Sequence, residues 1–520
     1  MSTFVSLLEE RCQERKDATF LVTRDSSLTY REFDRRTKAV AVSLVERGVV
    51  KGDPVALLMR NHIEFVISWF AVLRAGAVIV PINTELRGEH LDYMFATADA
   101  RTLIVDSDLL PAISNDLTGL ALMVVNGKHV EGSRTSNAVV EYLADLSTPK
   151  GGSDVVLPEV SGEDPCQMMF SSGTTGRPRA VLRYHRNEVK KSSLADACKL
   201  TQDDVLYSNV PLFHGLGLNW VQMALWSGAS IALVPRFSVS RFIEDVRHFG
   251  ATAATHVGSM VSALMQTPPK DSDRSAGLRV SFGIGVPIDL WKLYEERFGL
   301  SVIEFYGSTE TGLVAINEAG GPIGSLGRPV EGVEVRLVGR DGRDVARGDA
   351  GEMFIRFRDG VRTLPAFYKE PEATAERVKD GWWRTGDLVR EDASGNLFFI
   401  GRARDTIRHR GENIVPEDIE RTVNRHPAVA TSIAVAMPGS LGEDDVRLFV
   451  VPASDMSLNV DELEQWLASE LPRFMQPTLI EQISELPLTA THKVKREELR
   501  LRPLPGSEDR KANVESEGMR

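Results

Sequence analysis

The sequence predicts an α/β fold, with a large layered N-terminal domain that has a β-rich portion and a small α+β domain at the C-terminal end. Three observations predict it. Amphipathic helical stretches alternate with short β-branched runs up to about residue 150, Gly-rich and strand-rich segments gather after Phe305, and compact charged helices with short strands follow residue 405. A chain of 520 residues has room for about three packing units of roughly 150 residues.

The first alternation is legible in a helical pattern over 28–48, a strand VALLM at 55–59 and a strand AVIVPI at 77–82. The most apolar long stretch, 69–82, is interrupted by Arg74. It falls short of the roughly 20 residues needed to cross a bilayer, so it predicts a buried helix and then a strand. Residues 147–165, rich in Pro, Gly and Ser, predict a surface connection leading into the strand CQMMF. Alternation continues to Phe305, and VEVRLV at 333–338 and GEMFIRF at 351–357 then read as strands. After GNLFFIGRARD at 395–405 come PEDIERTVNRH, SIAVAMP, LFVVPA and VDELEQWLASEL. They place a domain boundary between 1–403 and 404–520, with 505–520 expected to be a frayed polar tail.

Hydrophobic residues make up 42% and charged residues 26%, as in an ordinary globular chain, so function is to be sought in pockets. The net charge of −12 leaves no global basic field to hold a nucleic acid or an anionic membrane. Neither nucleic-acid binding nor membrane insertion is expected. Cys12, Cys166 and Cys198 show no metal-site spacing, and the N-terminus lacks the apolar core of a signal peptide, so a cytoplasmic location is expected.

The strongest local signal is Ser171, Ser172, Gly173, Thr174, Thr175, Gly176, Arg177, Pro178, Arg179, Ala180, preceded by the apolar run 168–170. Glycines let backbone amides turn toward an anion, hydroxyls add neutral donors and arginines add fixed charge, which together make a phosphate cradle. It is not the usual P-loop, because no Gly-Lys-Ser/Thr follows. Taken alone, the run also fits a flexible turn between strands.

With PLFH at 211–214, YGSTE at 306–310, GWWRTGDL at 381–388, GRARDTIRHRGENIVPEDIE at 401–420 and LPLTATHKVKREEL at 486–499, the chain resembles the adenylate-forming superfamily. That superfamily holds acyl-CoA and aryl-CoA synthetases, firefly luciferases and peptide-synthetase adenylation domains. The resemblance covers nearly the whole chain. It implies a mobile C-terminal domain, and a ligase that joins a carboxylic acid to AMP and then passes the acyl group to a thiol, commonly that of coenzyme A. ATP/AMP, Mg²⁺ and coenzyme A are the implied cofactors.

Residue by residue, the resemblance implies that Thr309 contacts the α-phosphate and that Glu310 holds Mg²⁺, a hard cation suited to oxygen ligands. Tyr306 would pack along the adenine, and Gly307 and Ser308 would belong to the nucleotide-binding site. Asp387 would accept hydrogen bonds from both ribose hydroxyls, and Arg402 would approach the nucleotide. Lys493 matches a mobile lysine that bridges carboxylate and α-phosphate, Arg404 a hinge, and Gly411 a segment that faces the acyl group after rotation. His214 matches a gate to the acyl pocket. Asn219, Trp220, His256, Val257, Gly258, Phe282, Gly283, Ile284, Gly285 and Val286 fall in segments that line that pocket in relatives. Being mostly small or apolar, they favour an uncharged acyl group, although each also fits plain core packing.

Four positions depart from the family pattern. Arg179 stands for the usual lysine of the phosphate loop, Ala180 for a glycine, His492 for a glycine, and Arg408 for a lysine that assists thioester formation. The first expectation from these departures is neutral drift with the chemistry intact, and a weakened adenylation half-reaction is the alternative. A chain so weakened would act as an acyl-adenylate:CoA transferase, beside a partner ligase that supplies the adenylate. Loading of a carrier-protein phosphopantetheine thiol is a further alternative, and so is a regulator that only binds acyl groups or adenylates. Glu310, Asp387 and Lys493 are all present.

Overall fold

The apolar stretch with one arginine forms part of the main apolar core. In the computed structural model, helix Ile63–Arg74 is buried at every residue but Glu64, and strand Val78–Pro81 follows it. Its Arg74 side chain is 2% exposed. Nε donates to Thr37 Oγ1 at 3.1 Å and Nη1 to Glu9 Oε1 at 3.3 Å, while Nη2 pairs with Asp34. A buried cation is tolerated where carboxylates and a hydroxyl replace water, and here it pins three helices together. Among the described residues no helix is long and apolar enough to cross a membrane. The structure describes residues 3–504 apart from 114–116, 118, 129–137, 147–154, 172–177, 190–191, 340, 359–363, 406, 410–411, 440–443, 454–455, 457 and 489–493, with backbone alone at 189, 192–193, 404, 408 and 412–413.

Helix Tyr30–Glu46 carries the amphipathic pattern of 28–48 and starts at a capping box. Thr29 Oγ1 accepts from Glu32 N at 3.2 Å, and the Glu32 carboxylate accepts from Thr29 N at 2.8 Å. Helix Ile63–Arg74 is capped by His62, whose Nδ1 accepts from Phe65 N at 3.2 Å while Nε2 lies 2.9 Å from Asp106 Oδ1.

The described chain divides into two units. The first, Met1–Arg336 with Phe354–Arg384 and Asp392–Phe398, holds two large sheets. A seven-stranded sheet runs in the order Val139–Tyr142, Leu122–Asn126, Thr102–Asp106, Pro54–Leu58, Val78–Pro81, Pro165–Ser171, Arg179–Tyr184. A nine-stranded sheet runs Arg328–Pro329, Gly312–Asn317, Ser301–Ser308, Val280–Ile284, Ala253–Val257, Val205–Ser208, Ser230–Leu233, Thr19–Val22, Ser27–Thr29. One apolar core joins strands of both sheets (Val55, Ile79, Leu206, Val280) to the helices Phe4–Glu14, Tyr30–Glu46, Ile63–Arg74 and Gly215–Ser227. Those helices are therefore sandwiched between the sheets. Each fully buried Phe, Leu or Ile there contributes about 1.5–3 kcal/mol. Two further cores, around Leu58 and Phe95 and around Phe242 and Phe298, cover the other faces. This is the layered α/β arrangement expected from the alternation.

Residues expected to be β-rich form a five-stranded sheet of Val333–Val338, Ala350–Phe357, Trp382–Glu391, Val378–Lys379 and Leu397–Arg402. The second unit is Leu337–Met353, Thr385–Glu391 and Phe399–Arg520. It contains the three-stranded sheet Val429–Pro438, Asp444–Pro452, Leu479–Gln482, the hairpin Ile407–His409 and Glu412–Ile414, and helices Pro416–Val423, Val460–Glu470 and Arg496–Leu501. Arg496 ties this unit, donating to Glu420 Oε2 at 2.9 Å, Glu417 Oε1 at 3.0 Å and the carbonyl of Ala434 at 3.0 Å. Burial raises the Glu417 pKa above the ordinary glutamate value, partly offset by Arg496. The 505–520 tail lies outside the described residues.

Candidate active site

Strands Val205–Ser208, Ala253–Val257, Val280–Ile284 and Ser301–Ser308 are parallel neighbours, so their carboxyl ends share one edge of the nine-stranded sheet. Ligands of open α/β sheets bind at such an edge. The register pairs His256 with Gly283 and Val257 with Ile284. Strand 301–308 carries Tyr306, Gly307 and Ser308 to the same end, and Thr309 and Glu310 occupy the turn beyond it. His214 caps helix Gly215–Ser227, which follows strand 205–208, and its ring lies 5.0 Å from that of Phe213.

The glycines at this edge are dictated by close approach. A Cβ on Gly283 would lie 1.9 Å from the carbonyl oxygen of His256, and one on Gly258 would lie 2.0 Å from that of Gly285. Only hydrogen fits at either place, so the backbones of the neighbouring strand ends lie in direct contact there. Gly285 has φ +78° and turns the chain into Val286, whose N–H donates to Glu304 Oε1 at 2.6 Å. His256, 1% exposed, places Nδ1 2.7 Å from Ser281 Oγ, which lies 3.1 Å from Tyr294 OH. Its Nε2 is 3.9 Å from Glu304 Oε1. Trp220 is fully buried, stacks on Phe282 at 5.7 Å and donates from Nε1 to the carbonyl of Tyr207 at 3.1 Å, while Asn219 on the same helix is half-buried.

The turn that holds Thr309 and Glu310 is closed by reciprocal bonds. Ser308 N donates to Thr311 Oγ1 at 3.1 Å, and Thr311 N donates to Ser308 Oγ at 3.2 Å. Glu310 is half-buried. A Mg²⁺ that arrives with substrate phosphates needs only one or two protein carboxylates, and this oxygen donor fits that role.

Ser171 and Arg179 pair across the hairpin of strands 165–171 and 179–184, so the hydroxyl-rich segment between them starts and ends at a fixed place. Ser172, Gly173, Thr174, Thr175 and Gly176 lie outside the described residues. Arg179 Nε lies 3.1 Å from Glu370 Oε2, and the guanidinium carbon is 5.1 Å from the ring centre of Phe367. Ala180 is an ordinary buried strand residue without positive φ, and its carbonyl accepts from Tyr368 N at 2.7 Å. Its Cβ therefore brings no backbone strain.

In the second unit, the buried Asp387 Oδ1 lies 2.7 Å from Arg402 Nη1, and Asp387 N donates to Thr385 Oγ1 at 3.1 Å. Arg404 falls in the short turn Ala403–Asp405, and Arg408 in strand Ile407–His409 opposite Asn413. Gly411, His492 and Lys493 lie outside the described residues.

Residues 8–361 match the AMP-binding enzyme family, and residues 418–493 match the AMP-binding enzyme C-terminal domain. The chain belongs to the AMP-binding enzymes. It is 30% identical over 500 residues to a feruloyl-CoA synthase of Amycolatopsis sp, covering 95% of this chain and 97% of that one. It is also 30% identical over 506 residues to a sulfoacetate–CoA ligase of Cupriavidus necator, covering 95% and 96%. Among solved structures, the anthranilate CoA ligase AuaEII in complex with anthranoyl-AMP superimposes with TM-score 0.84 at 27% identity over 96% of each chain. This AMP-binding enzyme thus shares its fold and length with acid–CoA ligases.

Two groups were missed by sequence reasoning. Arg183 donates from Nη1 to the carbonyl of Thr309 at 3.4 Å, and Glu370 holds Arg179. An arginine inside a strand gives no sequence signal for a partner more than a hundred residues away.

Proposed function

We propose that the protein is an ATP-dependent, AMP-forming acyl-CoA ligase. It joins a carboxylic acid to the α-phosphorus of ATP with loss of pyrophosphate, and coenzyme A thiolate then displaces AMP to give the thioester. The observation that carries this reading is the position of the Thr309–Glu310 turn at the same sheet edge as the closely packed glycines Gly258, Gly283 and Gly285. An acyl group bound at that edge would present its carboxylate to the turn. The named activities of relatives that match nearly the whole chain support the same chemistry.

In this reading Thr309 donates its hydroxyl to the α-phosphate, Tyr306 packs along the adenine, and Asp387 exchanges its bond to Arg402 for the ribose hydroxyls. Glu310 would hold Mg²⁺, which supplies charge neutralisation for the phosphates. Residues 1–403 form the AMP-binding domain and 404–520 the lid, which turns about Arg404 to exchange Lys493 for the Gly411 segment with Arg408. The acid is uncharged and apolar, a ring or a chain, and the enzyme works in the cytoplasm.

A second reading is favoured by one observation: Arg179 is engaged by Glu370 and Phe367. On that reading adenylation is slow, and the protein acts chiefly as an acyl-adenylate:CoA transferase supplied by a partner ligase. Purified protein incubated with ATP, Mg²⁺, a panel of acids and either CoA or a holo-carrier protein decides among these readings. AMP and an acyl-CoA are the expected products. Thioester only from preformed acyl-adenylate would select the second reading, thioester only on the carrier would replace CoA as acceptor, and no thioester at all would overturn both.

A further inference from the structure

Both strands that flank the phosphate-loop segment are joined to the Thr309–Glu310 turn by side chains with no assigned role. Arg183, on the strand leaving the segment, has a side chain only 11% exposed. Its Nε lies 3.3 Å from Glu188 Oε1, and the Glu188 side chain is 3% exposed. Glu188 Oε2 in turn accepts from Gln167 Nε2 at 3.1 Å, and Gln167 is on the strand entering the segment. At its far edge the guanidinium meets the turn twice. Nη1 donates to the carbonyl of Thr309 at 3.4 Å, and Nη2 packs against Gly312, where a Cβ would come within 2.8 Å of it. Gly312 has φ +66° and ends the turn. Arg183, Glu188 and Glu310 also line one cavity of about 30 Å³.

A buried guanidinium is held where its charge is answered and its donors are used, and its planar fork fixes the direction of both. Glu188 answers the charge, and the guanidinium's other edge faces the turn. We propose that Arg183 is a positioning residue for adenylation, setting the Thr309–Glu310 turn in register with the phosphate-loop hairpin through the chain Gln167–Glu188–Arg183–Thr309 carbonyl. The inference rests on the ligase reading above. It deepens that reading by naming what couples its two phosphate-contacting segments. Once acyl-adenylate has formed, the β- and γ-phosphates are gone, so the register matters much less for the thioester step.

The test compares Arg183→Met, Arg183→Lys and Glu188→Gln with the wild type. ATP–pyrophosphate exchange is measured with an accepted acid, and thioester formation is measured from preformed acyl-adenylate. Misplacement of reacting groups by about 1 Å costs on the order of a hundredfold, so Arg183→Met is expected to slow exchange about a hundredfold. Thioester formation should fall no more than roughly fivefold, since direct contacts to the adenylate remain. Arg183→Lys keeps the charge but not the fork, so it should restore part of the exchange rate. Glu188→Gln, which keeps the shape and unpairs the cation, should lose exchange in the same selective way, and it serves if Arg183→Met does not fold. Equal loss in both half-reactions, or no loss in exchange, overturns the inference. If the wild type activates no acid, the ligase reading falls, and the inference is decided by thermal-shift titration with ATP at excess Mg²⁺. A roughly tenfold rise in half-saturating ATP in Arg183→Met, the loss expected for one charge-assisted contact, supports it, and an unchanged value overturns it.

Discussion

Substitution of Glu370 by Gln should make the enzyme better at using ATP. Arg179 ends the phosphate-loop segment, and to turn toward a bound phosphate it must leave Glu370 Oε2 at 3.1 Å. The two side chains are 14% and 33% exposed, which places the pair between a surface ion pair and a buried one. Exposed pairs are worth about 0.2–1 kcal/mol, and partial burial puts this one near 1 kcal/mol. With RT about 0.6 kcal/mol, that holds Arg179 back by a factor of about five. Glu370→Gln keeps the side-chain shape and the stacking on Phe367, so kcat/KM for ATP in pyrophosphate exchange should rise by up to about fivefold. Added salt screens the pair, so the advantage of the variant should shrink as ionic strength increases. Arg179→Lys, Ala180→Gly and His492→Gly together should raise ATP-dependent activity much more than activity on preformed acyl-adenylate. An unchanged or lower kcat/KM for ATP in Glu370→Gln would refute the idea that this contact restrains Arg179. Rapid wild-type exchange with the true acid would refute weak adenylation itself.

Burial of His185 against Phe4, whose N–H donates to Nδ1 at 3.3 Å, pushes its pKa down to about 4. Its neutral form is thus favoured by folding, the unfolded chain binds the proton between pH 6.5 and about 4, and up to about 3 kcal/mol of stability is lost as pH falls through that window. His185→Asn should flatten this part of the urea-unfolding profile, and an unchanged slope would count against it. Gly283→Ala places a Cβ 1.9 Å from a backbone carbonyl that cannot rotate away. Over-packing at its upper end, about 3 kcal/mol, is expected, and an unmoved denaturation midpoint would contradict the close backbone approach described. Asp387→Ala removes a buried carboxylate from Arg402, and loss of hydrogen bonds to a charged group should weaken ATP about ten- to a hundredfold in thermal-shift titration. ATP affinity equal to wild type would remove Asp387 from the nucleotide site.

Local chemistry made much of this readable from the chain alone. VALLM and AVIVPI become strands Pro54–Leu58 and Val78–Pro81 because β-branched runs buried on both faces suit parallel sheets. The break made by Arg74 ruled out a membrane span, but its partners Thr37, Asp34 and Glu9 could not be foreseen, since they come from two helices of separate register. The motif YGSTE marked the Thr309–Glu310 turn, yet nothing in it points to Arg183, which is 126 residues earlier. Small and apolar residues near the acyl segments were equally ambiguous. Gly283 proves to be fixed by contact with the His256 carbonyl, and the Trp220 indole faces the core, where Phe282 and the Tyr207 carbonyl meet it. Pocket walls and core share a composition, so only side-chain direction separates them.

The nine-stranded sheet stops at a three-residue strand, Ser27–Thr29, on one side and a two-residue strand, Arg328–Pro329, on the other. An open sheet edge is a template on which a second chain can add a strand, and short outer strands offer such a chain few unpaired groups. Pro329 has no amide hydrogen to offer, and Arg328 sets a charge beside it. Lengthening that outer strand, for example by replacing Pro329 with a β-branched residue, would create a stickier rim. Turbidity during refolding at high protein concentration would then rise, although no residue of the catalytic edge had been touched.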